Sequence, residues 1–336
     1  MSAIPASFRA FVVERRGDDV VREVRDVVTA DLDPAAWAGD VGIRVEWSSV
    51  NYKDGLATIA AGKVARISPL IPGIDLAGVV VDPGGSGLAP GTSVLAHGYE
   101  IGVAHHGGYG AFARVPADWV VPLAPGLSAR DSMAVGTAGF TAAMSVAALE
   151  ERGLTPDDGP VLVTGASGGV GGTAVAILLE RGYEVWAATG KPEAAAELRA
   201  LGVAGTLTRD ELAADGKPLE SERWAGAVDA VGATTLPYVL RTLRRGAAVA
   251  ASGNAGGPGL VTTVFPFILR GCALLGMDSA GMPIAERRRL WDRIATDLRP
   301  RELGRRVVEV DLGGLPAALD GILAGRANGR WIVRVG

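Results

Sequence analysis

The sequence predicts an α/β protein built from a β-rich unit and a doubly wound parallel sheet. Three observations lead there. Over about the first 125 residues, short alternating strands stand between Gly and Pro turns. From residue 160 onward, apolar strands and helical segments take turns, the pattern of βαβ units. At the first of those strand-to-helix junctions stand glycines 165, 168, 169, 171 and 172.

In the β-rich part, Val41-Gly-Ile-Arg-Val-Glu-Trp-Ser-Ser-Val alternates as a half-buried strand does. Leu76-Ala-Gly-Val-Val-Val runs into the turn cluster Asp82-Pro-Gly-Gly-Ser-Gly. Ala89-Pro-Gly-Thr-Ser-Val-Leu-Ala and Ala111-Phe-Ala-Arg-Val-Pro continue in the same way, which implies a compact barrel or sandwich-like unit. After Pro125-Gly126, Ser128 is a good helix N-cap, and helical sequence runs to about residue 152. Next come a strand at 160–164, a helix at 170–181, a strand from Tyr183 and a helix at 192–201. Short apolar strands follow at 225–231 and 247–252. A charged helix over 285–298 leads to the strand Val307-Val-Glu-Val, a helix around 316–323 and the closing strand Trp331-Ile-Val-Arg-Val. That last strand has no βαβ partner, so it is assigned back to the N-terminal β unit. The expected domains are 1–126, 127–282 and 283–336, the first and last forming one unit.

Composition narrows the chemistry. The chain has 336 residues, one cysteine (Cys272) and three histidines (His97, His105 and His106). At 48% hydrophobic and 21% charged residues it can bury a sizeable core, which argues against disorder. One cysteine excludes an intrachain disulfide, a four-thiolate zinc site and a cysteine-held iron–sulfur cluster. A net charge of −4 argues against a general nucleic-acid binder. Residues 1–9 lack the apolar segment of a signal peptide. The uncharged stretch 133–149 falls short of a membrane span and is diluted by Gly, Ala and Thr. The expectation is a soluble, cytoplasmic protein with neither nucleic acid nor membrane as partner, working on a small molecule through an organic cofactor.

The cofactor is read from two stretches. Val161-Leu-Val-Thr-Gly165-Ala166-Ser167-Gly168-Gly169-Val170-Gly171 follows a strand and opens a helix, as a dinucleotide fingerprint requires. Its spacing is Ala166-x-Gly168-x-x-Gly171, with Ala in the first glycine position. Ala166, Ser167, Gly168, Gly169 and Val170 are therefore cofactor-binding candidates, the pyrophosphate being favoured by the helix N-terminus. An NAD site usually ends the next strand with Asp or Glu for the ribose hydroxyl. Here that strand ends Ala187-Ala188-Thr189-Gly190-Lys191, without an acid. Thr189 and Lys191, with Arg209 beyond the next helix, suit a 2′-phosphate, so NADPH is expected. The alternative for Lys191 is a solvated loop lysine. Ser252-Gly253-Asn254, at the carboxyl end of a sheet strand, is expected to face the nicotinamide half.

Further stretches carry a family resemblance. They are Asn51-Tyr52-Lys53-Asp54-Gly-Leu-Ala, Ile71-Pro-Gly-Ile-Asp-Leu-Ala-Gly, His105-His106-Gly-Gly-Tyr, Gly136-Thr137-Ala-Gly-Phe-Thr-Ala, Pro266-Phe-Ile-Leu-Arg-Gly, Met277-Asp-Ser and Gly329-Arg-Trp-Ile-Val. With the glycine turn and Thr189-Gly-Lys-Pro-Glu, they resemble the medium-chain dehydrogenase/reductase superfamily, in its zinc-free acrylyl-CoA reductase and quinone-oxidoreductase-like branch. The resemblance implies a GroES-like catalytic domain with a Rossmann cofactor domain inserted, a cleft between them, and commonly a homodimer. It places Thr137 near the nicotinamide. Zinc alcohol dehydrogenases of this fold have Cys where this chain has Asn51, and His where it has Ile74, so metal-independent chemistry is implied. Two departures stand out: Ala188 where the branch usually has Ser, and His106 where it usually has Trp.

Without a Lewis-acid metal, the easier reduction is of a double bond already activated by a carbonyl. Hydride at the β-carbon leaves an enolate oxygen that needs donors, and a proton returns to the α-carbon. The expected substrate is an enoyl-CoA, with acryloyl-CoA first; the alternatives are a quinone or enone, or a cofactor-binding relative without activity. Tyr52 is expected to deliver the proton or orient the carbonyl, Asn51 to bond substrate or ribose, and Asp54 to orient its neighbours. The alternative is that Tyr52 and Asp54 are structural and water is the acid. His105 and His106 are substrate candidates. Asp75 is expected to fix its turn, Cys272 to be a buried apolar group, Arg270 to cap the preceding helix, and Arg287-Arg-Arg289 to be a surface charge run, a CoA phosphate being the alternative for both arginine sites.

Overall fold

Alternation in Val41–Val50 becomes the centre of a mostly antiparallel sheet, with Val41, Ile43 and Val45 fully buried on one face. In the computed structural model, residues 4–304 and 307–336 are described. Residues 1–3, the start of the segment read above as carrying no leader, lie outside them. Among the described residues this sheet has the order Val307–Asp311, Arg330–Arg334, Val41–Val50, Asp75–Asp82, Ser93–His97, Val120–Pro122, and Phe112–Val115 also pairs with Val41–Val50. The closing strand thus returns to the N-terminal unit, Trp331 standing opposite Val50. A hairpin of Ser7–Arg16 and Asp19–Val28 packs Phe11 against Leu70, Ile71 and Tyr109. Sequence reading passed over this hairpin because Arg and Glu interrupt its alternation. Each fully buried Leu, Ile or Phe contributes about 1.5–3 kcal/mol.

The second sheet is parallel throughout, in the order Gly205–Thr208, Val185–Thr189, Val161–Val163, Gly226–Asp229, Ala248–Ala251, Ala273–Gly276. The chain leaves Val161–Val163 toward one edge and resumes at Gly226–Asp229 toward the other. Ligands of doubly wound sheets bind at that switch, outside the carboxyl ends of the strands.

The chain forms two units, Met1–Thr137 with Ala280–Ala295 and Leu303–Gly336, and Ala138–Ser279 with Thr296–Glu302. The helix Ala129–Glu151 opens as expected, Ser128 Oγ accepting the Asp131 N–H at 3.0 Å. It is longer than the uncharged stretch alone implied. By length and composition it matches a membrane span, yet it is mostly buried within the protein, as a core helix is.

Candidate functional site

The strand Val161–Val163 ends in a turn where Gly165 adopts φ +62° and Gly168 precedes the helix Gly169–Glu180. A Cβ on Gly171 would overlap the Gly165 carbonyl oxygen, so only glycine lets this helix approach the turn so closely. The sidewall of the turn is the end of Val185–Thr189. Thr189 Oγ1 donates to Ser167 Oγ at 3.1 Å and accepts the Lys191 N–H at 3.1 Å. The Arg209 guanidinium lies over Gly190, where an added Cβ would come 2.8 Å from its Nη2. Thr189, the Lys191 backbone and the Arg209 guanidinium are thereby gathered beside Ser167.

Across the switch, the Asp229 carbonyl accepts the N–H groups of Ser252 and Gly253 at 3.0 and 3.2 Å, which brings Ser252-Gly253-Asn254 to the carboxyl end of its strand. Gly253 is required there, because a Cβ would overlap the Ala230 backbone. Ser252 Oγ is buried without a hydrogen-bond partner, a hydroxyl left over for a ligand. A glycine cradle, basic groups beside a threonine, and a spare hydroxyl fit a phosphorylated dinucleotide.

The second cluster lies in the β-rich unit. Tyr52 opens the helix Tyr52–Ala57 with 48% of its surface exposed. Behind it everything is buried. The Asn51 N–H donates to Asp54 Oδ2 at 2.8 Å, half of a capping box, and Asp54 Oδ1 accepts the Ile74 N–H at 2.8 Å. Asn51 Nδ2 donates to Asp75 Oδ2 at 2.9 Å and Oδ1 accepts from Arg330 Nη1 at 3.2 Å, so the amide's polar atoms are taken up inside the protein. Asp75 also accepts from the Ser49 hydroxyl, the Thr137 hydroxyl and the Thr137 N–H, the last at 3.0 Å. It does more than fix its own turn.

Electrostatics separate the two carboxylates. Burial, and then the charge of Asp75, push Asp54 up to about 7. Burial also works to raise Asp75, but the hydrogen bonds donated by Ser49 and Thr137 hold it below the usual range. His97 is driven down to about 3 by burial and by the Arg287 cation. Trp291 Nε1–H donates to His97 Nε2 at 2.9 Å, and Nδ1 lies 3.2 Å from Thr137 Oγ1.

Of the other candidates, Arg287 sits elsewhere than expected. His105 and His106 are both buried. The His105 ring nitrogens face the carbonyls of His106 and Ala38, at 2.9 and 2.7 Å. His106 Nδ1 accepts the Ile71 N–H at 3.1 Å, and burial, then His105, push the ring down to about 4. Arg287 is not a surface charge but fully buried. The helix Ile284–Ala295 puts it in one stripe with Leu290, Trp291 and Ile294, a spacing that could have revealed it. Arg270 meets the end of a preceding helix, as expected. Its guanidinium reaches the carbonyls of Arg241 at 2.9 Å and Leu243 at 3.0 Å, at the end of Thr235–Thr242. Cys272 is buried, one residue ahead of its strand.

Residues 37–125 match the alcohol dehydrogenase GroES-like domain. Acrylyl-CoA reductase AcuI of Ruegeria pomeroyi is 49% identical over 98% of this chain and 99% of its own. The putative quinone oxidoreductase YhfP of Bacillus subtilis is 46% identical over 98% of this chain and 99% of its own, and its structure with NAD bound superimposes with a TM-score of 0.94. The YhdH oxidoreductase of Salmonella enterica, in complex with NADP, is 43% identical, with a TM-score of 0.93 over 98% of this chain and 100% of that one.

The chain belongs to the medium-chain dehydrogenase/reductase superfamily.

Within that superfamily it falls in the acrylyl-CoA reductase and quinone-oxidoreductase-like branch. Of the buried groups behind Tyr52, the sequence reading of this reductase missed Ser49, His97, Trp291 and Arg330. No periodic signal marks Arg330, which stands alone before an apolar strand.

Proposed function

We propose that this chain reduces the C=C bond of an α,β-unsaturated acyl thioester of the acryloyl-CoA kind, using NADPH. The reading rests on the likeness to acrylyl-CoA reductase along 98% of the chain. Ala166, Ser167, Gly168, Gly169 and Val170 would hold the pyrophosphate, Thr189, Lys191 and Arg209 the 2′-phosphate, and Ser252 the nicotinamide half. When bound, NADPH supplies a hydride for the β-carbon. Tyr52 carries the exposed hydroxyl of its helix and serves the thioester oxygen or the α-carbon as donor. The reaction is read as zinc-free: Ile74 has no donor atom, and the Asn51 amide is committed to Asp75 and Arg330.

A quinone or enone as substrate is the second reading, favoured by the 46% identity to YhfP. NADPH oxidation followed in parallel with acryloyl-CoA, crotonyl-CoA, a simple quinone and an enone separates the two. Turnover confined to the quinone would sink the thioester reading.

The working form is proposed as a homodimer. Ala273–Gly276 is an edge strand, and beside it in sequence Val261, Val264 and Ile268 stand 88%, 60% and 68% exposed. An open edge next to an apolar face suits a self-complementary twofold contact.

A further inference from the structure

We propose that Arg330 is a positioning residue for the reduction, holding the Asn51 side chain and through it the place of Tyr52. The inference rests on the reading of Tyr52 given above. Sheet register brings the two together: Trp331 pairs antiparallel with Val50, so Arg330 comes opposite Asn51, the residue before Tyr52. The guanidinium is buried, only 8% of the residue being exposed. Its Nη1 donates to Asn51 Oδ1 at 3.2 Å and its Nε to the Ala134 carbonyl at 3.1 Å. Room for it exists because the helix Ala129–Glu151 breaks at Gly136 (φ +55°, ψ −168°), where a Cβ would overlap Arg330 Nη2.

The chemistry of the partners gives Asn51 one orientation. A guanidinium only donates and a carboxylate only accepts. With Arg330 on the amide oxygen and Asp75 on the amide nitrogen, a flipped amide would face donor with donor and acceptor with acceptor. Asp54 locks the Asn51 backbone from the other side. Tyr52 therefore leaves a residue immobilised at both main chain and side chain. Arg330 Nη2 is buried without a hydrogen-bond partner, which costs stability.

The test is steady-state turnover of acryloyl-CoA with NADPH by Arg330→Lys, which keeps the charge and loses the fork, in wild-type and Tyr52→Phe backgrounds. Arg330→Lys is expected to lower kcat about tenfold while the KM for NADPH stays within about twofold, as a misplaced donor would. In the Tyr52→Phe background it is expected to cost nothing further. Asn51→Ala removes the acceptor and leaves Arg330 in place. It is expected to reproduce the kcat loss and to add nothing when combined with Arg330→Lys. An unchanged kcat in Arg330→Lys or in Asn51→Ala, or an equal loss with and without the Tyr52 hydroxyl, overturns the proposal while Tyr52 keeps its role. A silent Tyr52→Phe removes both.

Discussion

Arg287 Nη1 lies 2.9 Å from His97 Nδ1 and 3.1 Å from Nε2, setting a cation against an imidazole in a fully buried place. The guanidinium also rests over the Tyr99 ring at 4.6 Å and binds the Ala280 carbonyl at 3.1 Å. Burial, and then that cation, keep the imidazole neutral. Thr137 Oγ1, 3.2 Å from the ring's Nδ1, donates on to Asp75.

That neutrality has a cost in acid. His97 is held at about 3 in the folded chain, first by burial and then by Arg287, against about 6.5 when unfolded. Its contribution to stability is present above about 6.5 and is lost as pH falls toward 3. Melting temperature should therefore decline over that window, and His97→Gln should decline less. Parallel profiles for the two proteins would show that His97 is not responsible.

Asp54 works in the opposite sense. Burial and the Asp75 charge raise it to about 7, so the folded chain holds the proton more tightly than the unfolded one. The contribution is full below about 4 and is lost as pH rises through 7. Relative to wild type, Asp54→Asn should gain stability steadily from pH 4 to 7, whatever constant penalty its altered cap carries. Chemical denaturation at several pH values would show this, and a pH-independent difference would refute it.

Lys191 and Arg209 should select the cofactor. Removing either charge, as Lys191→Ala or Arg209→Ala, is expected to weaken NADPH about tenfold or more and leave NADH nearly unchanged, the loss of a charge-assisted bond to phosphate. Fluorescence titration with both nucleotides measures it. Equal losses for the two would mean that these residues do not meet a 2′-phosphate.

Gly171→Ala places a methyl group on the Gly165 carbonyl oxygen. The helix must retreat from the turn, at an expected cost of about 1–3 kcal/mol in denaturant unfolding together with weaker NADPH binding. Wild-type stability and affinity in the variant would show that the close approach is not needed.

Ile268→Glu should yield monomers by light scattering if the apolar face beside Ala273–Gly276 meets a second copy. An unchanged mass would move the contact elsewhere.

Where function sits on local chain chemistry, it was legible in advance. The glycine spacing at 165–172 announces a strand, a tight turn and a helix, since each residue's requirement is met by its own backbone and near neighbours. The missing acid after Val185–Thr189 and the basic Lys191 follow from the same kind of reading. Arg209 was named too, and the fold brings it over Gly190. The burial of the arginines at 270 and 330 was not legible in this way, and that of Arg287 only through its helical spacing. A charged residue in sequence reads as solvated, because burying it is unfavourable until partners distant in sequence supply the hydrogen bonds. His97, 190 positions from Arg287, is such a partner; Asn51, 279 positions from Arg330, is another.

Periodicity and glycine placement were enough for the α/β architecture and the parallel sheet, and the absence of an acid for the expectation of NADPH. Packing alone chose which polar side chains go inside. Asn51, Asp54, Asp75, His97, Arg287 and Arg330 share one buried network because sheet register and a broken helix bring them within hydrogen-bond reach. A network of that kind is favourable only when nearly every member finds its partner, and that condition belongs to the whole fold rather than to any stretch of chain.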